Sequence, residues 1–346
     1  MTPKVMTPEA NQGAMRAAIE ASEGSRGVTS PNPPVGAAIV AADGTIAGIG
    51  ATQPPGGPHA EVMALRAAGE RARGGTAYVT LEPCSHYGRT PPCTQALLAA
   101  GISSVYYAVA DPNPRAAGGA DVLRAAGVQV EGGLLAEDVE RGPLRAWLHY
   151  ARTGRPHVTW KYAASLDGRV AAADGTSRWI SSPTSRAEVH DIRRKVDAIV
   201  AGTGTVRTDD PQLTAREEDG TLSPRQPLRV VVGTSEIDAT ARVLDDAAAT
   251  LHVRSHDPDE VLAALAERGV VDVLLEGGPR LAGAFLKAHR VDRALVYVAP
   301  MLLGAGPAAL LDAGVNTITQ ALPFGIEDVT MSGPDVRISA VPVKTE

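Results

Sequence analysis

From residue 35 onward the sequence alternates between short runs of Val, Ile, Leu and Ala and segments of helical length. A chain patterned in this way buries its strands in a sheet layered with helices, so the expected fold class is α/β. In the first half, "VGAAIV" (35–40) and "TIAGIGAT" (45–52) flank an Ala-Asp-Gly turn and read as a hairpin. The helical pattern "HAEVMALRAAGERARGG" follows and ends in a Gly-Gly stop. Strand "TAYVTLE", helix "TQALLAAG", strand "SVYYAVAD", helix "ADVLRAAG" and strand "VQVEGG" come next. One amphipathic helix is expected over 134–150, and "ARTGRPH" reads as a linker. The second half restarts with "HVTWKYAASLDGRVA" and carries strands "AIVAG", "LRVVVG", "TLHVR", "VDVLLEGG" and "RALVYVAP". The two halves share no internal repeat, so two different domains are expected, 1–150 and 151–346.

Composition narrows what these domains do. Aromatic residues are only 3%, so the cores must be built from Ala, Val, Leu and Ile. The net charge is −6 and no Lys/Arg-rich block occurs, which argues against a nucleic-acid partner, since phosphate neutralisation supplies most of that binding energy. No uncharged apolar stretch is long enough for a bilayer, and "MTPKVMTPEANQG" lacks the apolar run of an export signal. A cytoplasmic chain with reduced thiols is therefore expected.

The only two cysteines, Cys84 and Cys93, lie in one segment, "LEPCSHYGRTPPC". A disulfide, a metal site and chance burial are the candidates, and cytosolic cysteines are often just small buried hydrophobes. A reducing compartment disfavours the first. Zinc favours thiolate and imidazole, and a catalytic zinc has three protein ligands and an open fourth position. His59 in "GPHAE" stands where a helix begins, and "PPCTQALLAAG" puts Cys93 at the start of another. Helix N-termini lower thiol pKa values. Glu61, two residues after His59, suits a general base acting on the water at the open position. H-x-E followed by P-C-x-x-C is a zinc-deaminase signature. This chain departs from it in spacing, with "SHYGRTPP" between the cysteines. His59, Cys84 and Cys93 are the expected ligands; His86, inside that loop, is expected to line the pocket.

In the second half, "AGTGTVRTDDP" fails as a dinucleotide fingerprint because Arg207 stands where the third glycine belongs. "LLEGGPRLAGAFL" is better placed, with a strand running into Gly277-Gly278 and a helix starting at about Pro279, where backbone N–H groups can cradle a phosphate. Taken alone, such a turn is more often a tight connection.

Together, "TSPNPPVGAAIV", "PHAEVMAL", "YVTLEPCSHYGRTPPCTQALLAAG", "ADPNPRAAGG", "KYAASLDGRVA", "SRWISSP", "GTGTVRTDDPQLTAR", "LLEGGPRLAGAFL" and "VYVAPMLLG" resemble the bifunctional riboflavin-biosynthesis deaminase–reductase family over about residues 10–340. In that family the long loop between the cysteines is normal. The resemblance implies a cytidine-deaminase-like α/β/α domain with zinc, followed by a dihydrofolate-reductase-like domain using NADPH, and an oligomer of dimer size or larger. It implies a small-molecule substrate, a diaminopyrimidinone ribosyl phosphate that is deaminated and then reduced on its ribosyl chain. Asn32, His86 and Arg89 would contact the substrate in the first half. In the second, Ala164, Trp179, Thr205, Asp209 and the turn Gly278, Pro279, Arg280, Leu281, Ala282, Gly283 and Ala284 would face the cofactor. Ser177, Arg193, Leu213, Arg216 and Glu276 would face the substrate, with Lys161 catalytic. Arginine can grip a phosphate through two N–H groups, which suits Arg193 and Arg216 to that task. Lys161 and Glu276 would bond the pyrimidine and assist protonation. Simpler readings are a solvated surface for the arginines and a core position for Trp179. A nucleic-acid base deaminase and a non-catalytic nucleotide-binding module are the rival functions; the acidic charge disfavours the first and the intact catalytic sets disfavour the second.

Overall fold

The computed structural model describes residues 7–88, 91–114 and 116–343, and the chain divides into two compact units, one ending at Gly154 and one beginning at Arg155. In the first unit the elements are α1 (Pro8–Gly24), β1 (Gly36–Val40), β2 (Ile46–Ala51), α2 (Ala60–Ala68), β3 (Thr76–Leu81), α3 (Cys93–Ala99), β4 (Ser104–Val109), α4 (Gly119–Ala125), β5 (Gln129–Gly132), α5 (Ala136–Arg141) and α6 (Arg145–Thr153). The sheet order is β2-β1-β3-β4-β5. The β1–β2 hairpin and the β1–β3 pair are antiparallel, whereas β3, β4 and β5 run parallel.

Few aromatics are available, so the layers approach closely through small residues. On α1, the buried residues Ala14, Met15, Ala18 and Ser22 recur at helical spacing. A Cβ on Gly36 of β1 would lie 1.9 Å from the Ala18 carbonyl oxygen. Only glycine permits that contact. Helices α2 and α3 also touch one another, which brings together the ends that carry the histidine and the second cysteine.

Some local expectations are corrected. Helix α2 stops at Ala68 because Gly69 turns left-handed (φ 56°), before the Gly-Gly pair at 74–75. The single helix expected over 134–150 is two, α5 and α6, separated at Gly142–Leu144 around Pro143, which cannot donate a helical hydrogen bond. Helix α6 also takes up most of the expected linker, running to Thr153 with a left-handed Gly154 as its cap. Helix α1 was not foreseen, although Thr7 and Pro8 form a standard helix start.

The second unit contains β6 (His157–Ser165), α7 (Pro183–Lys195), β7 (Ala198–Gly202), α8 (Thr203–Asp209), β8 (Leu228–Val232), β9 (Thr250–Val253), α9 (Pro258–Ala266), β10 (Asp272–Leu275), α10 (Pro279–Lys287), β11 (Arg293–Ala299), β12 (Phe324–Ser332) and β13 (Asp335–Pro342). Its eight strands follow the order β12-β13-β11-β6-β10-β7-β8-β9. The run from β11 to β9 is parallel and the terminal hairpin β12–β13 joins antiparallel. That hairpin also escaped the sequence reading; more than half of β12 is exposed and polar residues interrupt both strands, so no apolar run announces it. The central strands β7, β8 and β10 are buried along almost their whole length, as a parallel sheet covered on both faces requires. Ligands in such sheets lie beyond the carboxyl ends of the strands. Those ends carry Glu276 after β10, Gly202 on β7 and Gly233–Ser235 after β8.

Candidate active sites

In the first unit three chain junctions converge. His59 is the residue capping α2, in extended conformation (φ −73°, ψ 165°). Cys84 follows β3 after Pro83, and Cys93 opens α3 after Pro92. The His59 Nδ1 atom lies 3.2 Å from Cys93 Sγ and 3.6 Å from Cys84 Sγ. All three donor atoms fall within 4.8 Å of one another. Zinc bonds of about 2.3 Å to sulfur and about 2.0–2.1 Å to nitrogen, at the tetrahedral angle, separate nitrogen and sulfur by about 3.6 Å. The residues present therefore fit zinc, and the donor set of one imidazole and two thiols is one that zinc favours.

The bond from Cys93 pulls the Cys84 thiol down, and Cys84 together with burial pushes the Cys93 thiol up. The Cys93 backbone N–H also points at Cys84 Sγ, 3.4 Å away. Glu61 is 4% exposed, and burial, with the neighbouring Cys84 sulfur, pushes its carboxyl up to about 7. A carboxyl in that range both accepts and returns a proton.

A cavity of about 660 Å³ opens beside this cluster. His59, Glu61 and Cys84 line it, as do Asn32 and His86, while Cys93 sits fully buried behind them. Arg89 lies outside the described residues. Sequence reasoning missed Glu82, Asp111, Asn113 and Trp147, all on the cavity wall. Glu82 accepts bonds from the backbone N–H groups of Asp111 (3.3 Å), Gly118 (3.2 Å) and Ala120 (3.0 Å), so it holds the wall in place. Its position beside Pro83-Cys84 was the available signal.

In the second unit two clefts meet. One, of about 840 Å³, is lined by the ends of β7, β8 and β10 and by Gly278–Leu281. The other, of about 1270 Å³, is lined by α7 and by residues 211–214 and 216–218. Lys161, Ala163, Val170, Ser177 and Glu276 belong to both. At this junction Arg193 grips Glu276 with two bonds of 2.7 Å, from Nε and Nη2, and gives Nη1 to the Thr214 carbonyl (2.9 Å). Burial acts to raise the Glu276 carboxyl, but Arg193 outweighs it and holds the group down at about 2. Burial lowers the Lys161 ammonium, opposed by Glu276.

Of the residues expected to face a cofactor, Thr205, Asp209, Gly278, Pro279, Arg280, Leu281 and Ala284 line the first cleft. Thr205 Oγ1 accepts from the Gly278 N–H at 3.1 Å, tying the two helix starts together. Ala164, Ala282 and Gly283 line neither cleft. Ala164 is 3% exposed, and a Cβ on Gly283 would meet the Leu311 carbonyl oxygen at 1.9 Å, so this part of the turn faces inward to the protein. Trp179, expected on the cofactor side, lines the second cleft, with the Arg186 guanidinium 4.5 Å above its ring. Ser177, Arg193, Leu213, Arg216 and Glu276 all line that second cleft. The phosphate grip expected of Arg193 is corrected, because its guanidinium fork is taken by Glu276. His190, one turn before Arg193 on α7, also lines this cleft and was missed; the three-residue spacing on one helix face was the signal.

Comparison with known proteins puts one family model within each unit. Residues 8–109 match the family model described as the cytidine and deoxycytidylate deaminase zinc-binding region, and residues 156–336 match that of the RibD C-terminal domain. The riboflavin biosynthesis protein RibD of Mycobacterium tuberculosis (strain H37Rv) is 58% identical over 328 residues, 95% of this chain and 96% of that one. The Escherichia coli (strain K12) protein of the same name is 39% identical over 361 residues, covering 94% and 98%. Among solved structures, Acinetobacter baumannii RibD superposes with a TM-score of 0.85 at 37% identity, covering 98% of this chain and 100% of that one. A Thermotoga maritima diaminohydroxyphosphoribosylaminopyrimidine deaminase/5-amino-6-(5-phosphoribosylamino)uracil reductase reaches 0.87 at 32% identity, covering 97% and 99%.

Proposed function

Since this chain belongs to the RibD family of bifunctional deaminase–reductases in riboflavin biosynthesis, we propose that its two units divide two successive reactions on one small-molecule substrate. Residues 1–150 form the zinc-dependent deaminase and 151–346 the NADPH-dependent reductase. The first converts the exocyclic amine of a diaminopyrimidinone ribosyl phosphate to a carbonyl, with water consumed and ammonia released. The second reduces the ribosyl chain of that product to ribityl.

His59, Cys84 and Cys93 hold the zinc, which when bound supplies Lewis-acid activation of water. Glu61 takes a proton on its carboxylate and returns it to the departing amine. Asn32, His86 and Arg89 contact the substrate. Glu82 keeps the cavity wall in place through its three backbone bonds. The observation that carries the reading is the convergence of three zinc-donor atoms within 4.8 Å beside a buried glutamate.

In the reductase, NADPH supplies the hydride. Arg280 and Leu281, in the first turn of the nine-residue helix α10, offer backbone N–H groups to its phosphates, with Gly278, Pro279, Thr205, Asp209 and Ala284 alongside. Lys161, at the junction of the two clefts, holds a proton near the sugar carbon that accepts the hydride. Glu276, kept ionised by Arg193, orients Lys161 and the pyrimidine. Arg216 takes the substrate phosphate, with Ser177 and Leu213 on the same wall.

The work is placed in the cytoplasm, where the two thiols stay reduced for metal, and no helix among the described residues is long and apolar enough to cross a membrane. A homo-oligomer and the absence of a nucleic-acid partner complete the reading. The exposed Ile326, Val329 and Met331 of edge strand β12 support the first and the acidic net charge of −6 the second. Mass spectrometry of products from the diaminopyrimidinone ribosyl phosphate, with zinc-loaded protein and NADPH, tests the whole reading. A deaminated and reduced product is expected; an unchanged substrate would overturn it.

A further inference from the structure

Arg216 has a long, flexible side chain, yet in this fold it is held at two points. Its Nη1 donates to the Gly220 carbonyl at 2.6 Å and its Nη2 to Gln212 Oε1 at 2.5 Å. These bonds engage two of the five N–H groups of the guanidinium, and Arg216 lines the second cleft. Between Gln212 and Arg216 the chain passes through Leu213 with a left-handed φ of 52°.

Gln212 is itself anchored from below. Its Nε2 donates to Asp245 Oδ2 at 2.6 Å, and the other oxygen of Asp245 accepts from Arg229 Nη1 at 2.7 Å. Arg229 is a β8 residue with no exposed surface. It also donates to the Asp245 and Ala248 carbonyls, which ties the loop after the short 3-10 turn Arg242–Leu244 to the sheet. A buried guanidinium, a carboxylate and an amide thus form one chain of bonds from the sheet interior to the arginine at the cleft. Both Nη groups of Arg229 meet acceptors in it, and the Gln212 amide is oriented by the carboxylate on one side and the guanidinium on the other.

We infer that Gln212, anchored through Asp245 to Arg229, is a positioning residue that aims Arg216 at the phosphate of the reductase substrate. This rests on the phosphate role given to Arg216 above. A misaimed guanidinium weakens binding of the phosphate but leaves hydride transfer and NADPH binding as they are, because Lys161, Glu276 and the first cleft are untouched.

The test is steady-state reduction of the aminouracil ribosyl phosphate by the full-length protein, followed by NADPH absorbance, with NADPH affinity from fluorescence titration. Gln212→Leu is expected to raise KM for the sugar phosphate about ten-fold, the worth of one bond to a charged group, with kcat and NADPH affinity within about two-fold of wild type. In Gln212→Leu, the further change Arg216→Gln should add little to KM, since coupled residues are non-additive. The double variant Gln212→Glu with Asp245→Asn reverses the polarity of the 212–245 bond while retaining an acceptor for Arg216 and one for Arg229, and it should bring KM back to within about three-fold of wild type. If Arg216→Gln alone leaves KM unchanged, the phosphate role of Arg216 fails and this inference with it. If Arg216→Gln raises KM and Gln212→Leu does not, the positioning role alone is overturned. A rise in KM accompanied by a fall in kcat and in NADPH affinity, not recovered in the double variant, also overturns it, since that marks a general structural defect.

Discussion

Replacing Arg193 with Met exposes the energetics of the reductase centre. Arg193 and Glu276 have side chains only 16% and 12% exposed and share two bonds of 2.7 Å. Removing the guanidinium strands a buried carboxylate with Lys161 as its nearest compensation. Breaking a buried pair in this way costs about 3–5 kcal/mol. For a unit of this size, each kcal/mol moves the melting temperature by about 2–4 °C, so a fall of about 6–20 °C is expected. The pH dependence follows with a definite sign. In the wild type the Glu276 carboxyl is held down at about 2, so its contribution is present above the ordinary carboxylate range and is lost only as pH falls through about 2. Once Arg193 is gone, burial raises the carboxyl above its unfolded value, and protonation on acidification relieves the variant. The gap between wild type and Arg193→Met should therefore narrow from pH 8 to pH 5. Arg193→Met with Glu276→Leu should recover most of the lost stability, because the pair is replaced by apolar groups, yet reduce no substrate. Differential scanning calorimetry at both pH values, with deamination as the internal control, measures this. A fall below about 2 °C, or a gap equal at both pH values, would refute the reasoning.

Other outcomes follow from the same geometry. Glu61→Gln should lower deamination by about 10²–10⁴-fold while zinc content and reduction persist; deamination within ten-fold of wild type, measured by ammonia release, would remove Glu61 as the proton carrier. Cys93→Ser should lose zinc, and full occupancy by elemental analysis would exclude that sulfur from the ligand set. Because Cys84 and burial push the Cys93 thiol up, zinc must displace a proton there, so apparent zinc affinity should rise with pH across the neutral range; competition against a chromophoric chelator shows it, and a flat profile contradicts it. A Cβ on Gly119 would lie 1.7 Å from the Pro83 carbonyl oxygen, so Gly119→Ala should push α4 from the segment carrying Cys84 and lower both zinc occupancy and melting temperature.

Much of the deaminase centre was legible because its chemistry uses rare residue types at element junctions. Two cysteines in the whole chain, each after a proline, and a histidine two residues before a glutamate leave few other uses. The α/β alternation was legible for the same local reason, as helix and strand periods depend on neighbours within one turn or one pleat. Element ends were less so: Gly69 and Pro143 each redirected the chain inside a pattern that otherwise continued.

What the sequence by itself determined was thus the kind of chemistry and the order of strands and helices along the chain. Tertiary structure alone decided which side chains meet. Arg193 and Glu276 are 83 residues apart, and they meet only because β10 lies next to β7 in the sheet order. Glu82 reaches the loop at 111–120, Trp179 turns to the second cleft, and Gln212 finds Asp245 33 residues away, through the same long-range choice. Periodicity and propensity act over a few residues, whereas strand order is the outcome of burying the whole core at once. A partner set by that order carries no mark in the residues beside it.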